Sequence, residues 1–176
     1  MDSLTDRCGR APLPHCEQAG TLQNGKLKLA CPFFVPTSKC EDIAWLHPSR
    51  LPLGGGWNGH CGAPGHEGFS PTREEIKEFC NLGYAAACPR LPVIRAYDAV
   101  RFAVVRHSDS CLVVSFVFES QHRPAGHGTL EYAIAPRQWR LTHSDERIQR
   151  MAECYVQSYL SRKIVPDDAS AGNTAD

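Results

Sequence analysis

The alternation of apolar side chains after residue 98 is the feature that most constrains the fold of this chain. Two runs have a period of two residues, Val100-Phe102-Val104 and Leu112-Val114-Phe116-Phe118. A third, shorter run holds Leu130, Tyr132 and Ile134 and lies beyond a polar loop at 120–128. Because successive side chains of a strand point to opposite faces, these runs predict a three-stranded antiparallel meander with one strongly apolar face.

A helical pattern follows this meander. Thr142 or Ser144 is suited to cap its first turn, and an apolar stripe recurs at helical spacing through Ile148, Met151, Ala152, Tyr155 and Tyr159. Such a stripe needs an apolar surface to pack against. We therefore expect a C-terminal amphipathic helix to cover the apolar face of the meander.

The segment from Cys31 to Pro92 is rich in glycine and proline, which predicts loops. One short helix interrupts it, beginning at Ser70-Pro71 or at Thr72. Ile76, Phe79 and Cys80 share one face of that helix, so Cys80 is expected to point inward. The predicted fold class is therefore α+β, with a loop-rich, cysteine-containing half preceding the meander and its covering helix.

Three segments are expected along the 176 residues. Residues 1–27 are polar and aperiodic, which predicts a mobile N-terminal arm. Residues 28–163 form a single α+β domain that carries a cysteine-ligated metal centre. Residues 164–176 are small and acidic, which predicts a disordered tail.

Charge and hydropathy exclude several classes of partner. The net charge is zero and the isoelectric point is about 7.1, so the sequence gives no sign of nucleic-acid binding. No stretch approaches the roughly 20 apolar residues of a membrane-spanning helix. Residues 1–22 lack the apolar core of a secretory signal, which predicts a cytoplasmic protein.

Nine cysteines in a cytoplasmic chain indicate metal binding or catalysis rather than disulfides. Four are distinguished by their context, and these are Cys31, Cys61, Cys80 and Cys88. Cys31 and Cys88 each precede a proline, as the last ligand of a bacterial ferredoxin run does. Cys61 lies among glycines, where the backbone can approach a cofactor closely. Cys80 lies on the inward face of the short helix.

The spacing of these four residues is C-x29-C-x18-C-x7-C. Structural zinc sites usually contain C-x2–4-C pairs, and this chain has none. A [4Fe–4S] cluster is therefore preferred to Zn²⁺ as the bound group. Cys40, His60 and His66 are possible substitute ligands, and the simplest competing interpretation is that the cysteines are inert buried thiols.

The functional prediction is a small iron–sulfur protein, acting in electron transfer, in redox sensing or as an accessory module of a larger protein partner. The first alternative is a zinc-stabilised protein-interaction module that uses the same cysteines, with His60 or His66 as a further ligand. A second alternative is a metal-dependent enzyme using Glu119, His122 and His127, although an ordinary polar loop also explains these three residues.

Overall fold

The computed structural model describes residues 29–164, and its larger sheet is a four-stranded antiparallel meander. The strands are β3 (Ala99–His107), β4 (Cys111–Ser120), β5 (Arg123–Ala133) and β6 (Gln138–Leu141), paired in that order. The prediction of three strands was therefore wrong by one. The missed strand β6 is a short and mostly exposed edge, without the apolar alternation that marks the other three.

A second, two-stranded sheet lies in the half that was predicted to be loops. Strand β1 (Phe34–Lys39) pairs antiparallel with β2 (Trp57–Cys61), and the register shifts between Pro36 and Ser38. A proline within a strand and a glycine at position 59 both weaken the sequence signal for a sheet. Gly59 is required here because a side chain would collide with the ring of Phe34, whose carbons lie 2.9 Å from the Cβ position.

The short helix begins at Thr72, one of the two predicted starts. Thr72 and Glu75 form a reciprocal capping box, and α1 (Arg73–Glu75) runs directly into a π-helical turn, Ile76–Cys80. Cys80 is buried, as predicted. The helix ends at Asn81, whose buried amide donates to the carbonyls of Trp57 and Ile76 and accepts from the Trp57 N–H.

The C-terminal helix α2 (Glu146–Ile164) supplies the expected layer over the sheet. Its stripe joins the apolar face of the meander in one core, where Tyr155 stacks on Phe102 with ring centroids 5.9 Å apart. Cys154 was expected to lie off this stripe, but it is buried. The helix also packs against β1, because Arg150 donates to the carbonyls of Pro36 and Thr37, so more than one of its faces is covered.

The part of the chain that the structure describes contains no helix both long enough and apolar enough to cross a bilayer. The predicted arm at 1–27 and most of the predicted tail at 164–176 lie outside the described residues.

Candidate metal centre

Backbone pairing brings Cys31 next to Cys61. Ala30 forms an isolated bridge with Val100 of β3, which fixes the start of the Cys31 turn against the large sheet. The turn then leads into β1, where Phe34 lies opposite Cys61. The Gly62 N–H donates to the Phe33 carbonyl at 2.7 Å. The end of β2 is therefore held against the Cys31 turn.

The loop carrying Cys80 and Cys88 is attached to the same region by a different contact. The Gly83 N–H donates to the carbonyl of Leu29 at 2.7 Å, two residues before Cys31. At the C-terminal end of this loop, the guanidinium of Arg90 lies 4.1 Å from the ring centroid of Phe69. The Phe69 carbonyl in turn accepts the Cys61 N–H. The four sequence-predicted cysteines thus lie on three separate segments, because Cys80 and Cys88 share one loop.

Burial and neighbouring thiols together raise the pKa values of two of the four cysteines. The pKa of Cys31 is raised to about 11, chiefly by burial and to a smaller extent by nearby Cys61 and Cys88, against the effect of the backbone at Phe33 and Phe34. Burial likewise raises the pKa of Cys80 to about 12, with contributions from Cys31, Cys88 and Cys61. Without metal, both groups are therefore neutral thiols at pH 7, and metal binding must displace their protons.

A backbone N–H group points at the sulfur of Cys61, and the backbone near Cys31 has a related effect. The backbone at Phe33 and Phe34 opposes the increase in the pKa of Cys31, and the Phe34 N–H donates to the Cys31 carbonyl at 3.2 Å. The N–H of Ala63 donates to the Sγ of Cys61 at 3.4 Å. Such N–H groups stabilise a thiolate more than a thiol, and in cluster proteins hydrogen bonds to sulfur adjust the reduction potential.

Arg90 places a largely buried cation beside the cysteines. Its side chain is 11% exposed and pairs with Glu75 at 2.5 Å. The pKa of Arg90 is raised chiefly by Glu75, and additionally by its nearness to Cys88 and Cys61. The sequence analysis missed this residue, although its position two residues after Cys88 was a usable signal.

Arg147 approaches the cysteines from the first turn of α2. Its guanidinium binds Asp145, donates to the Gly62 carbonyl at 3.1 Å and lies 5.5 Å from the ring centroid of Phe33. The pKa of Arg147 is raised first by Asp145 and least by Cys31. A second cation therefore joins the helix to the Cys31 and Cys61 segments.

Within residues 29–164, no group of three or more His, Cys, Asp or Glu side chains is close enough to hold a single metal ion. The effect of neighbouring thiols on the pKa values of Cys31 and Cys80 extends over longer distances than direct ligation does. The four thiols therefore share a region without forming a compact single-ion site.

The three possible substitute ligands lie in different surroundings. The thiol of Cys40 is buried at the end of β1 and donates to the Asp42 carboxylate at 3.2 Å. His60 precedes Cys61 in β2, so its side chain points to the opposite face of that strand. His66 is exposed in the turn that follows.

The residues of the alternative enzyme site meet only in part. The buried carboxylate of Glu119 accepts from the Tyr84 hydroxyl at 3.3 Å and lies 3.5 Å from the Arg101 guanidinium. His122 stacks on Tyr84 with ring centroids 4.2 Å apart, whereas His127 is exposed on β5. Glu119 and His122 thus hold Tyr84, which is part of the loop between Cys80 and Cys88.

Comparisons of the chain with protein-family models, with curated proteins and with solved structures give no match. The functional argument therefore depends on the arrangement of this chain's own residues.

Proposed function

We propose that this protein binds a [4Fe–4S] cluster through Cys31, Cys61, Cys80 and Cys88, and that the cluster serves electron transfer, redox sensing or docking on a larger protein partner. What supports the proposal is that backbone hydrogen bonds hold together the three segments that carry the four cysteines. Cysteines that serve only as core packing have no reason to come from separate segments to one region.

The surroundings of the thiols fit an anionic cluster. Four thiolates give a cubane cluster a net negative charge, and burying such a charge is costly unless cations or hydrogen bonds compensate it. Arg90 and Arg147 supply positive charge from two directions, and the backbone N–H of Ala63 donates to the sulfur of Cys61.

The size of the group distinguishes the cluster from the zinc alternative. A tetrahedral zinc site has metal–sulfur bonds of about 2.3 Å, so its sulfurs must approach to within about 4 Å of each other. A cubane places four iron atoms between its thiolates and accommodates wider separations. Zinc remains the alternative, and metal analysis distinguishes the two groups.

Metal analysis of the chain purified without oxygen tests the proposal. We expect about four iron atoms and four acid-labile sulfides per chain, and a broad absorbance near roughly 400 nm. Stoichiometric zinc would instead support the interaction module. Absence of iron after anaerobic purification and reconstitution would refute the cluster.

Cysteine variants then test the ligand set. Cys61→Ser should lower iron content and the absorbance at least severalfold, because it removes one of four ligands. Cys40→Ser is the matched control, since Cys40 bonds to Asp42 and lies at the other end of the β1–β2 sheet. Equal iron loss in both variants would contradict the assignment.

A further inference from the structure

A second site is formed by the Gly54-Gly55-Gly56 segment, which lacks the sequence pattern of a phosphate-binding or dinucleotide-binding loop. Together with the end of β1 and the last turns of α2, this segment lines an open cavity of about 520 Å³. That volume is within the range of small-molecule sites. The site uses none of the four proposed cluster ligands, so the inference does not depend on the proposed function.

Three buried donors without acceptors lie at or beside this cavity, since Trp45 and Ser158 line it and the Trp57 side chain lies next to Gly55. The indole Nε1 atoms of Trp45 and Trp57 and the Oγ of Ser158 are all inaccessible, and none has a hydrogen-bond partner among the residues that the structure describes. Trp57 and Ser158 are almost fully buried, at 2% and 3% exposure. A buried donor left unpaired costs about 1–3 kcal/mol, so three in one place indicate a missing acceptor.

The glycines show that these donors converge. A methyl group at Gly55 would lie 3.7 Å from the Ser158 Oγ and 3.9 Å from the Trp57 Nε1. A methyl group at the next residue, Gly56, would collide with the indole nitrogen of Trp45. The three donors therefore surround one short stretch of glycine backbone.

The chemistry of these groups selects the ligand. An indole N–H can only donate, so the ligand must present acceptors. Lys39 and Arg162 line the cavity with positive charge against a single carboxylate, that of Glu41. Arg162 is held in place by its bond to the Gly54 carbonyl at 2.8 Å.

We propose that this cavity binds the oxyanion group, phosphate or carboxylate, of a small molecule, through Trp45, Trp57 and Ser158, with Arg162 and Lys39 supplying positive charge. Ordered water is the simplest competing occupant, because water also accepts from buried donors. Water and an oxyanion are distinguished by whether added anions bind saturably.

The test uses the full chain carrying Trp139→Phe, so that its fluorescence comes from Trp45 and Trp57. Inorganic phosphate and acetate are titrated separately at constant ionic strength set with chloride, and calorimetry repeats each titration. A saturable response to phosphate alone identifies a phosphoryl group, and one to acetate alone identifies a carboxylate. A response to both identifies a general oxyanion site. A response to neither means that only water fills the cavity, which overturns the proposal.

Two variants locate the binding. Gly55→Ala should weaken it about tenfold, because the methyl group occupies the space between two of the donors. Gly126→Ala is the matched control, since Gly126 lies in β5 and its nearest neighbour would be 3.5 Å from the new methyl group. Ser158→Ala removes a donor and should also weaken binding about tenfold. Unchanged affinity in both Gly55→Ala and Ser158→Ala overturns the proposal, and Ser158→Ala alone decides if Gly55→Ala does not fold.

Discussion

The close approach of Gly83 to the Leu29-Ala30 backbone makes it the most informative position for a single methyl group. In Gly83→Ala the new Cβ would lie 2.6 Å from the Cβ of Ala99 and 3.1 Å from the Ala30 carbonyl oxygen. Two carbons pack best at about 3.5–4.0 Å, so the loop must retreat by about 1 Å. Ala30 and Ala99 are fully buried and belong to paired backbone, which leaves the loop as the part that moves.

The magnitude follows from this overpacking. Inserting a methyl group into a packed interior costs about 1–3 kcal/mol. For a chain of this size each kcal/mol lowers the midpoint of thermal unfolding by about 2–4 °C. We therefore expect metal-free Gly83→Ala to unfold roughly 2–12 °C below the parent. The retreat also carries Cys80 and Cys88 away from Cys31, so iron content should fall in the same variant.

Calorimetry of the metal-free chain and iron analysis of the anaerobic preparation measure the two effects separately. Gly126→Ala supplies the control, because its methyl group meets only ordinary contacts and should change stability by no more than about 0.5 kcal/mol. If Gly83→Ala unfolds at the same temperature as Gly126→Ala, the argument from close approach is refuted. If it unfolds earlier but retains full iron, the loop does not position the ligands.

Two further perturbations test the interior. Asn81→Ala should lower the free energy of chemical unfolding by about 2–4 kcal/mol, because the buried N–H and C=O of Trp57 and the Ile76 carbonyl lose their hydrogen bonds to the Asn81 amide. Asn58→Ala removes one exposed hydrogen bond and should cost under about 0.5 kcal/mol. Equal losses in the two variants would contradict this reasoning. Burial raises the pKa of Cys154 from 9.0 to about 12, so the folded state retains its proton longer than the unfolded state does. The resulting stability is fully present below pH 9 and is lost as the pH rises towards 12, which amounts to about 1.4 kcal/mol between pH 8 and 10. In Cys154→Ala the free energy of unfolding should lack that part of its pH dependence. If the free energy of unfolding changes with pH in the same way in the parent and in the variant, the Cys154 thiol does not titrate as its burial requires.

The sequence was most informative where an element buries one face in the core, because burial of that face sets the spacing of its apolar residues. Strands β3 and β4 have a face in the core, so alternation revealed them. Alternation revealed only the second half of β5, and the loop predicted at 120–128 was wrong, because the mostly exposed first half of β5 already pairs with β4 from Arg123 onward. The burial of Cys80 followed from helical spacing on a capped helix, and the capping box itself lies at Thr72. The set of four cysteines was chosen from local context, namely proline, glycine and helix face, and its role as a ligand set stays a prediction.

What the sequence did not reveal depends on contacts between distant segments. Strand β1 contains Pro36 and β2 contains Gly59, and only their pairing with each other makes them a sheet. Cys154 is buried because α2 also packs against β1, which the stripe on the sheet side does not predict. The position of Arg90 two residues after Cys88 is a sequence signal, but its ion pair with Glu75 and its contact with Phe69 could be seen only in the structure.

The four cysteines lie on separate segments of the chain, and this affects the order in which the protein folds and binds metal. Cys31 and Cys88 are 57 positions apart, and only Cys80 and Cys88 are near each other in sequence. Contacts between residues so far apart form only after the entropy of loop closure has been overcome, here by the Ala30–Val100 bridge and the Gly83–Leu29 hydrogen bond. A metal group held by all four cysteines would then bind a polypeptide that is already folded. The centre would therefore act late in folding and would mainly slow unfolding, rather than nucleate the fold.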